Sequence, residues 1–547
     1  MASGSGALVV YLALIPVVYL VWGTFWGPGG WTLDAFRAAF RTSGWLKIAT
    51  DSFVFAGAST AVAVALGTAL AYLVVRSDVY LKRVMFAAAL VPLVIPGVLH
   101  TIAWILLAGP RAGLLNQVVE LLVGTRPFNI FSLTGMVFVE GLHLSPVAFL
   151  FMVAAFSSSD PALEEAAITS GARLRTVLAR VTLPLAAPAL LASALVIGVR
   201  ALEAFEVPAL IGLPAGLVTF TSGIWEAVGG SGGGLGAAGA QGVILVALTG
   251  AGLLLYLRLT RRGAGAGGRS AGRGDPRAME LGRWRMPATG LVVLYLMVAV
   301  ALPVGVLTYA SFQPYYTGID AAALTRFSSV NYVEVLSDPR IGRALLNSLI
   351  LSLSAATIVV LFAAVVSWLT VRVKITGAWF LEMGAFLPLG FPGLVLGVAL
   401  LFLYLRSPIP IFGTLWILLL SYITRYLPYG MRYSSAAMQG IAKELEDAAE
   451  SAGASWWQTF RRVLLPLVAP SLVAGWLYIF IVSSRELASS IILYSPGTEV
   501  TSVVIWQMWQ SGQFTKVAAF GVLMTGALAI LTAGGHRLWR RAGIRTV

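Results

Sequence analysis

Glu140 and His143 form a Glu-x-x-His sequence, a spacing that would place both side chains on one face of a helix. The spacing recurs in helical bundles that hold two iron ions, where a second copy and further carboxylates complete the site. Here the corresponding positions 282 residues later are Tyr422 and Arg425. We therefore expect no tight metal centre, while weak contact with a passing anion or chelate stays open. The absence of cysteine excludes disulfides, thiolate catalysis and iron–sulfur ligation.

Other ionisable side chains also lie inside long apolar segments, where a charge is costly and therefore indicates a functional site. They are His100, Glu140, His143, Arg200, Glu203, Glu206, Glu382, Arg425, Arg432, Arg485 and Glu486. The side chains that we predict to line a path through the apolar region are His143, Arg200, Glu203, Glu206, Arg425, Arg485 and Glu486. The alternative is that some of these groups pair with one another or reach an interface with water.

The composition requires these groups to be positioned by membrane-spanning helices. Of the 547 residues, 58% are hydrophobic and 11% are charged, and the mean hydropathy is +0.87, whereas about a quarter of the residues in soluble domains are charged. Apolar runs of roughly 20 residues can cross the bilayer as helices. Twelve such runs are predicted, at 8–26, 53–75, 85–108, 131–156, 186–207, 237–257, 287–311, 348–371, 379–405, 412–434, 468–484 and 517–535. The sequence therefore predicts an all-α membrane protein.

The basic residues indicate the orientation of these spans. The net charge is +14, and 23 of the 37 lysines and arginines fall in segments on one side of the twelve-span arrangement. The positive-inside rule places that side, with both termini, in the cytoplasm. A nucleic-acid surface would instead concentrate its basic residues on a soluble domain, and the sequence offers none.

The first apolar run is predicted to be a signal anchor. A signal peptide would need basic residues before its apolar segment, and none precedes Arg37. Pro16 of this run aligns with Pro303, yet about half as many residues precede it within its span. An upstream start of the natural chain is therefore left open.

The chain is an internal repeat of two halves, 1–257 and 287–547. Arg76 matches Arg372, and VPLVIPG at 91–97 matches LPLGFPG, at an offset of 296, which becomes 282 from Pro146 onward. The loop near 109–130 therefore carries about 14 additional residues. Six spans return the chain to its starting side, so the two six-helix repeats are parallel, that is, they have the same orientation in the membrane. The Gly- and Arg-rich segment 258–286 between them is predicted to be a flexible cytoplasmic tether.

One polar loop occurs in both halves, and we name the copies the first repeat loop (160–184) and the second repeat loop (442–466). They contain EEAAITSGARLRTVLARVTLP and EDAAESAGASWWQTFRRVLLP. Both have an acidic residue followed by Ala-Ala, a glycine four positions after the second alanine, and a final Leu-Pro. Asp160 is predicted to cap a short helix in the first copy, with Pro161 as its first residue, and Gly171 and Gly453 are predicted to end the helices. The next span is predicted to start at the proline.

This pattern resembles the EAA loop of the membrane subunits of binding-protein-dependent ABC importers. Val181 and Val463 stand at its Ile position, and Asp447 replaces Glu. The resemblance implies the type I importer permease fold, with each loop helix docked on a cytoplasmic ATP-binding subunit. The residues that it assigns to this coupling are Glu164, Glu165, Ala166, Ala167, Gly171, Glu446, Asp447, Ala448, Ala449 and Gly453.

The resemblance further implies a homodimer of ATP-binding subunits, a periplasmic substrate-binding protein and a location in the inner membrane. ALEAFEVPALIGLP and SSRELASSIILYSPGTEVTSVVIW look most like permeases of ferric-iron uptake. Thiamine, polyamine, sulfate and phosphonate remain alternative cargoes. No Gly-Lys dipeptide occurs, so the chain has no Walker A sequence, and we expect no bound cofactor, with ATP-Mg held by the partner subunits.

Three other classes of membrane protein fit the sequence less well. A secondary transporter would use an ion gradient and would need no matched cytoplasmic helices. An enzyme would need a converging catalytic set, which three histidines, no cysteine and few carboxylates do not supply. A channel is disfavoured because neither half shows a filter-like loop.

Overall fold

The computed structural model describes residues 2–27, 29–41, 44–160, 162–229, 234–263, 279–318, 324–373 and 375–541. Helices dominate this part of the chain. Its one two-stranded sheet is a short antiparallel ribbon in which Trp26–Gly27 pairs with Gly30–Trp31. The tether 258–286 lies largely outside the described residues.

Nine helices in the described part of the chain are long and apolar enough to cross a membrane. They are Gly4–Phe25, Trp45–Arg76, Leu133–Ser158, Arg175–Glu203, Gly234–Thr260, Gly282–Ser311, Pro339–Val373, Trp456–Ser484 and Phe514–Thr532. Three bent helix pairs raise the number to twelve if each pair is one span. The shorter helices include Asp34–Arg41, Leu114–Val123, Ala162–Thr169, Val330–Ser337, Glu444–Ser451, Ser490–Leu493 and Thr501–Gln510.

Two predicted spans are broken in the structure. The predicted span 85–108 consists of Lys82–Leu93 and Gly97–Ala108, which meet at 97°, and 379–405 consists of Ala378–Gly390 and Gly393–Tyr404, which meet at 109°. Pro96 and Pro392 have extended backbones at these breaks. A proline has no N–H for the preceding turn, and it disfavours helical geometry in the residue before it. The apolar run thus identified the segment but not its shape.

The third bent pair was not predicted as a span. It joins Pro208–Ala215 to Phe220–Val228 at 86°. The predicted span 412–434 is the helix Leu415–Gln439, which carries two arginines and four tyrosines and is less apolar than the nine helices above. The longer loop near 109–130 contains the helix Leu114–Val123.

The described helices form two compact units, which are divided differently from the sequence halves. One unit comprises residues 1–43, 224–246 and 332–547, and the other comprises 44–223 and 247–331. In the first unit, Ile15–Phe25 packs on Gly393–Tyr404, and a β-carbon at Gly23 would lie 2.7 Å from the Phe402 ring. The first span of the first half thus belongs to the unit that holds most of the second half, and the first span of the second half belongs to the unit that holds most of the first.

The unit that contains residues 44–223 is built around Trp45–Arg76, Leu133–Ser158 and Arg175–Glu203. A β-carbon at Gly67 would lie 2.5 Å from that of Ala148, so glycine permits this close approach. The first span of the second half joins this unit, where the Tyr295 hydroxyl lies 2.8 Å from the Ser145 hydroxyl. The other unit has the corresponding trio Pro339–Ser367, Leu415–Gln439 and Leu465–Ser484.

Pro184 and Pro466 lie inside continuous helices, so the predicted start of the next span at Leu-Pro is wrong. The helices begin at Arg175 and Trp456. A π-helical turn precedes each Leu-Pro, and the N–H of Leu183 donates to the Leu178 carbonyl, as that of Leu465 does to Phe460. This wider turn accommodates the proline without ending the helix.

Candidate functional site

The first repeat loop contains the helix Ala162–Thr169. The carboxylate of Asp160 accepts a hydrogen bond from the backbone N–H of Ala162 at 2.9 Å, which confirms the predicted cap. Pro161, the predicted first helical residue, lies outside the described residues. The second repeat loop contains the helix Glu444–Ser451.

The helix of the first repeat loop ends where the sequence predicts. Gly171 has φ of +85°, its N–H donates to the Ile168 carbonyl at 2.8 Å, and the N–H of Ala172 donates to the Ala167 carbonyl at 3.0 Å. These two bonds form a Schellman motif, whose left-handed residue is usually glycine.

The second repeat loop ends its helix with the same motif. Gly453 has φ of +81°, its N–H donates to the Glu450 carbonyl at 2.9 Å, and the N–H of Ala454 donates to the Ala449 carbonyl at 3.0 Å. The two loops, 282 residues apart, therefore reverse the chain with the same backbone geometry.

The matched acidic residues Glu164 and Glu446 hold the two loop helices differently. Glu164 is buried, and its carboxylate accepts a hydrogen bond from the Thr182 hydroxyl at 2.8 Å. The Glu446 carboxylate forms an ion pair with the Arg372 guanidinium at 2.9 Å. Each glutamate thus ties its short helix to a membrane-spanning helix.

Matched arginines brace the region before each loop helix. Arg76 ends the helix Trp45–Arg76 and donates to the Ser159 carbonyl at 2.7 Å. Arg372 donates to the Ile441 carbonyl at 2.6 Å and to the Met438 carbonyl. Each guanidinium thus donates to backbone carbonyls at or just after the end of a membrane-spanning helix. The internal repeat aligns these two arginines but does not indicate this role.

The remaining predicted coupling residues lie mostly at the surface. Glu165, Ala166, Gly171, Asp447, Ala448 and Gly453 are exposed, and Ala167 and Ala449 are half-buried. Leu163 and Leu445 are exposed beside them, with 51% and 46% of their surface accessible. Each loop helix therefore presents small and apolar residues between acidic ones.

Two of the first-half path candidates, His143 and Glu206, meet at the break in the bent pair Lys82–Leu93 and Gly97–Ala108. A β-carbon at Gly97 would lie 3.6 Å from both a Glu206 carboxylate oxygen and the His143 Nε2. The His143 ring is 5.5 Å from the ring of His100. The structure thus brings together residues from three separate segments.

The two other first-half path candidates pair with each other. Arg200 and Glu203 form an ion pair at 3.9 Å, in which the arginine side chain is 46% exposed and the glutamate 8%. Glu140 is buried, and the charges that act on it belong to Glu206 and Arg200. The sequence placed His100 and Glu140 among the intramembrane groups but not on the path.

The matched cluster in the second half is a buried ion pair. Arg425 and Glu486 lie 3.3 Å apart, and Glu486 also accepts from the Tyr426 hydroxyl at 2.7 Å and from the Ser489 N–H at 3.1 Å. The Arg425 guanidinium fills the space beside Gly393, the counterpart of Gly97. Arg485, the remaining candidate, is half-buried and follows the end of its helix.

A histidine and an arginine thus occupy matched positions, each beside a glutamate and each against the glycine of a bent span. Within the described residues, no group of three or more histidines and carboxylates could hold a metal ion. The matched glycines were visible in the repeat, but only the bend explains why a side chain lies against each of them.

Comparison with known proteins locates a family match in the second half. Residues 356–541 match the model of the binding-protein-dependent transport system inner membrane component. A ferric transport system permease protein of Actinobacillus pleuropneumoniae is 25% identical over 450 residues, which are 81% of this chain and 64% of that relative. The alignment therefore spans less than two thirds of the relative's length.

Other relatives cover one or both halves. A putative ferric transport system permease protein of Haemophilus influenzae is 24% identical over 83% of this chain and 71% of its own length. A putative 2-aminoethylphosphonate permease of Salmonella typhimurium is 26% identical over 47% of this chain and 96% of its length. A solved bacterial alginate ABC transporter chain is 20% identical, with a TM-score of 0.39, over 48% of this chain and 96% of that one.

Proposed function

We propose that this chain, a two-half permease of the binding-protein-dependent type I ABC importer class, supplies the membrane path of an ATP-driven importer whose cargo is ferric iron. The observation that carries the coupling role is the matched geometry of the two repeat loops. Both present a short helix that is closed by a Schellman glycine and tied by a glutamate to a membrane-spanning helix. Two such loops suit two copies of one partner.

Each loop helix docks on one subunit of a cytoplasmic ATP-binding homodimer in this proposal. The contacting residues are Glu164, Glu165, Ala166, Ala167, Gly171, Glu446, Asp447, Ala448, Ala449 and Gly453. The anchors at Thr182 and Arg372 let a displacement of the loop helix move its spans as a rigid body. Because the tie on each side is direct, little of that displacement is lost in a flexible joint.

ATP is hydrolysed by the partner subunits and not by this chain. The sequence has no Walker A lysine, so the ATP-Mg belongs to the ATP-binding subunits, and this chain is a non-catalytic subunit without a bound cofactor. A periplasmic binding protein delivers the cargo to the side of the membrane opposite the repeat loops. The chain then crosses the inner membrane several times, and both of its termini lie in the cytoplasm.

The cargo path uses the intramembrane charges around the two bent spans. Its residues are His143, Arg200, Glu203, Glu206, Arg425, Arg485 and Glu486. Carboxylates and imidazole are ligand types that suit iron, and half-buried groups can exchange ligands with a passing ion or chelate. Glu486, which the structure buries against Arg425, would shape the path more than contact the cargo.

Ferric iron is favoured as the cargo because relatives named for ferric transport align over more than four fifths of this chain. The phosphonate-named relative covers 47% of this chain, so phosphonate is a second candidate. Thiamine, polyamine and sulfate stay alternatives within the importer class. A gradient-driven secondary transporter is the alternative of another class.

ATPase activity in liposomes tests the proposal. This chain is reconstituted with its ATP-binding subunit, and binding proteins loaded with ferric iron, a phosphonate, thiamine, a polyamine or sulfate are added singly. We expect stimulation by the ferric-loaded protein alone, and its loss in Gly171→Pro/Gly453→Pro. Stimulation by a binding protein that carries another ligand would identify that ligand, and not ferric iron, as the cargo. Gradient-driven uptake, with no stimulation of the ATPase by any binding protein, would refute the assignment as an ATP-driven importer.

A further inference from the structure

A cleft of about 750 Å³ opens between the helices Trp45–Arg76 and Arg175–Glu203. Its walls include Ala61, Ala65 and Tyr72 on one side and Leu178 and Ala194 on the other. We name it the Ala194 cleft. All of its lining residues belong to the compact unit that contains residues 44–223.

The matched cleft in the second half is occupied by the chain's own aromatic side chains. Trp476 corresponds to Ala194 and donates from its indole N–H to the Thr357 hydroxyl at 3.0 Å. Trp368, which corresponds to Tyr72, packs 5.6 Å from the ring of Phe460. Leu178 and Ala61 stand in the first half where Phe460 and Thr357 stand in the second. The smaller side chains of the first half leave the space open.

Water is a poor occupant of this space. The Thr60 hydroxyl donates to the Ala56 carbonyl at 2.6 Å, and the Thr182 hydroxyl donates to Glu164. Thr68 has no hydrogen-bond partner among the described residues. The Tyr72 hydroxyl, the fourth in the lining, donates to the Met279 sulfur at 3.3 Å. Three of the four hydroxyls therefore donate within the protein, which leaves few polar partners for a water that typically needs two to four. Because the cleft is open on one side and its lining is almost wholly apolar, it suits an apolar ligand better than water.

The shape and the charge at one end identify the ligand. The lining runs from Leu178 to Ala194, about 24 Å of helix at 1.5 Å per residue, which suits an extended acyl chain. Arg175 lies one turn before Leu178 on the same helix face and is exposed. Its counterpart in the second half is Trp457, which stacks on Phe460 at 5.8 Å. The first half thus has a cation one turn before the lining residue Leu178, at the position where the second half has an aromatic ring.

We propose that the Ala194 cleft binds an acyl chain of an anionic phospholipid of the cytoplasmic leaflet, with the lipid phosphate at Arg175. The assignment to the cytoplasmic leaflet rests on the proposed function, which places the repeat loops in the cytoplasm. Because Thr182 contacts both the cleft and Glu164, the lipid packs against the segment that anchors the first loop helix. The second half has no equivalent ligand because Trp476 fills its cleft.

Native mass spectrometry of the permease complex, extracted from vesicles of phosphatidylglycerol and phosphatidylcholine, tests this site. We expect wild type to retain one phosphatidylglycerol, and Ala194→Trp, which copies the second half, to lose it. Arg175→Gln should reduce the preference for phosphatidylglycerol about fivefold, the effect of one basic residue near an anionic lipid. Arg180→Gln is the matched control, because Arg180 is exposed on the other side of the helix from Leu178.

Three outcomes would overturn the site: no lipid retained by wild type, unchanged retention in Ala194→Trp, or equal loss in Arg175→Gln and Arg180→Gln. Ala65→Trp fills the cleft from the opposite wall and replaces Ala194→Trp if that variant does not fold. ATPase stimulation by loaded binding protein is measured on the same preparations. Lipid retention without stimulation would refute the proposed transport function alone, and stimulation without lipid would refute the cleft alone.

Discussion

Replacing Gly171 or Gly453 by alanine should loosen the end of its loop helix through backbone strain alone. The two residues have φ of +85° and +81°, and no heavy atom lies within 4 Å of a β-carbon built at either. The substitution therefore meets no steric clash. A left-handed backbone costs an L-residue roughly 1–2 kcal/mol, which corresponds to a factor of about 5–30 in the population of the closed motif.

Hydrogen exchange of the backbone amides measures this loosening directly. The N–H of Ala172 and of Ala454 closes the two Schellman motifs, so its exchange should accelerate about 5- to 30-fold in the corresponding alanine variant. Asparagine tolerates the left-handed region, so Gly171→Asn should accelerate exchange less than Gly171→Ala. Binding-protein stimulation of the ATPase should fall in the same order.

Gly342→Ala provides the matched control. Gly342 also has open space around its β-carbon, but it lies within the helix Pro339–Ser367 and has no positive φ. Alanine there should stabilise the helix by about 0.5–1 kcal/mol. Unchanged exchange at Ala172 in Gly171→Ala, or equal effects of alanine and asparagine, would refute the strain argument.

The ion pairs give two further predictions. Arg372→Gln removes both the ion pair to Glu446 and the donors to two carbonyls, so it should lower stimulated ATPase more than Glu446→Gln does; equal losses would contradict the bracing role. Glu486→Leu leaves Arg425 buried without its carboxylate and should destabilise the fold by about 3–5 kcal/mol, seen as a lower thermal midpoint in detergent. Replacing both residues by methionine should recover much of that loss, and no recovery would show that the charge imbalance is not the cause.

The sequence alone determined the features that depend on a few neighbouring residues. Asp160 caps its helix and Gly171 ends it as predicted, because both act on the backbone within one turn. Most apolar runs became membrane-spanning helices for the same reason, since twenty apolar residues must satisfy their backbone within the segment. The repeat of Gly453 in the second loop made the matched geometry predictable.

Only the tertiary structure decided which helices pack together and what their side chains contact. Hydropathy identifies the first span but does not encode its neighbours, so the exchange of first spans between the compact units was not predictable. The same limit applies to Arg425 and Glu486, which are 61 residues apart in the sequence and pair only in the folded chain, where Arg425 lies against Gly393 of a bent span. The Ala194 cleft arises likewise, because a small residue becomes a cavity only when the opposite helix is in place.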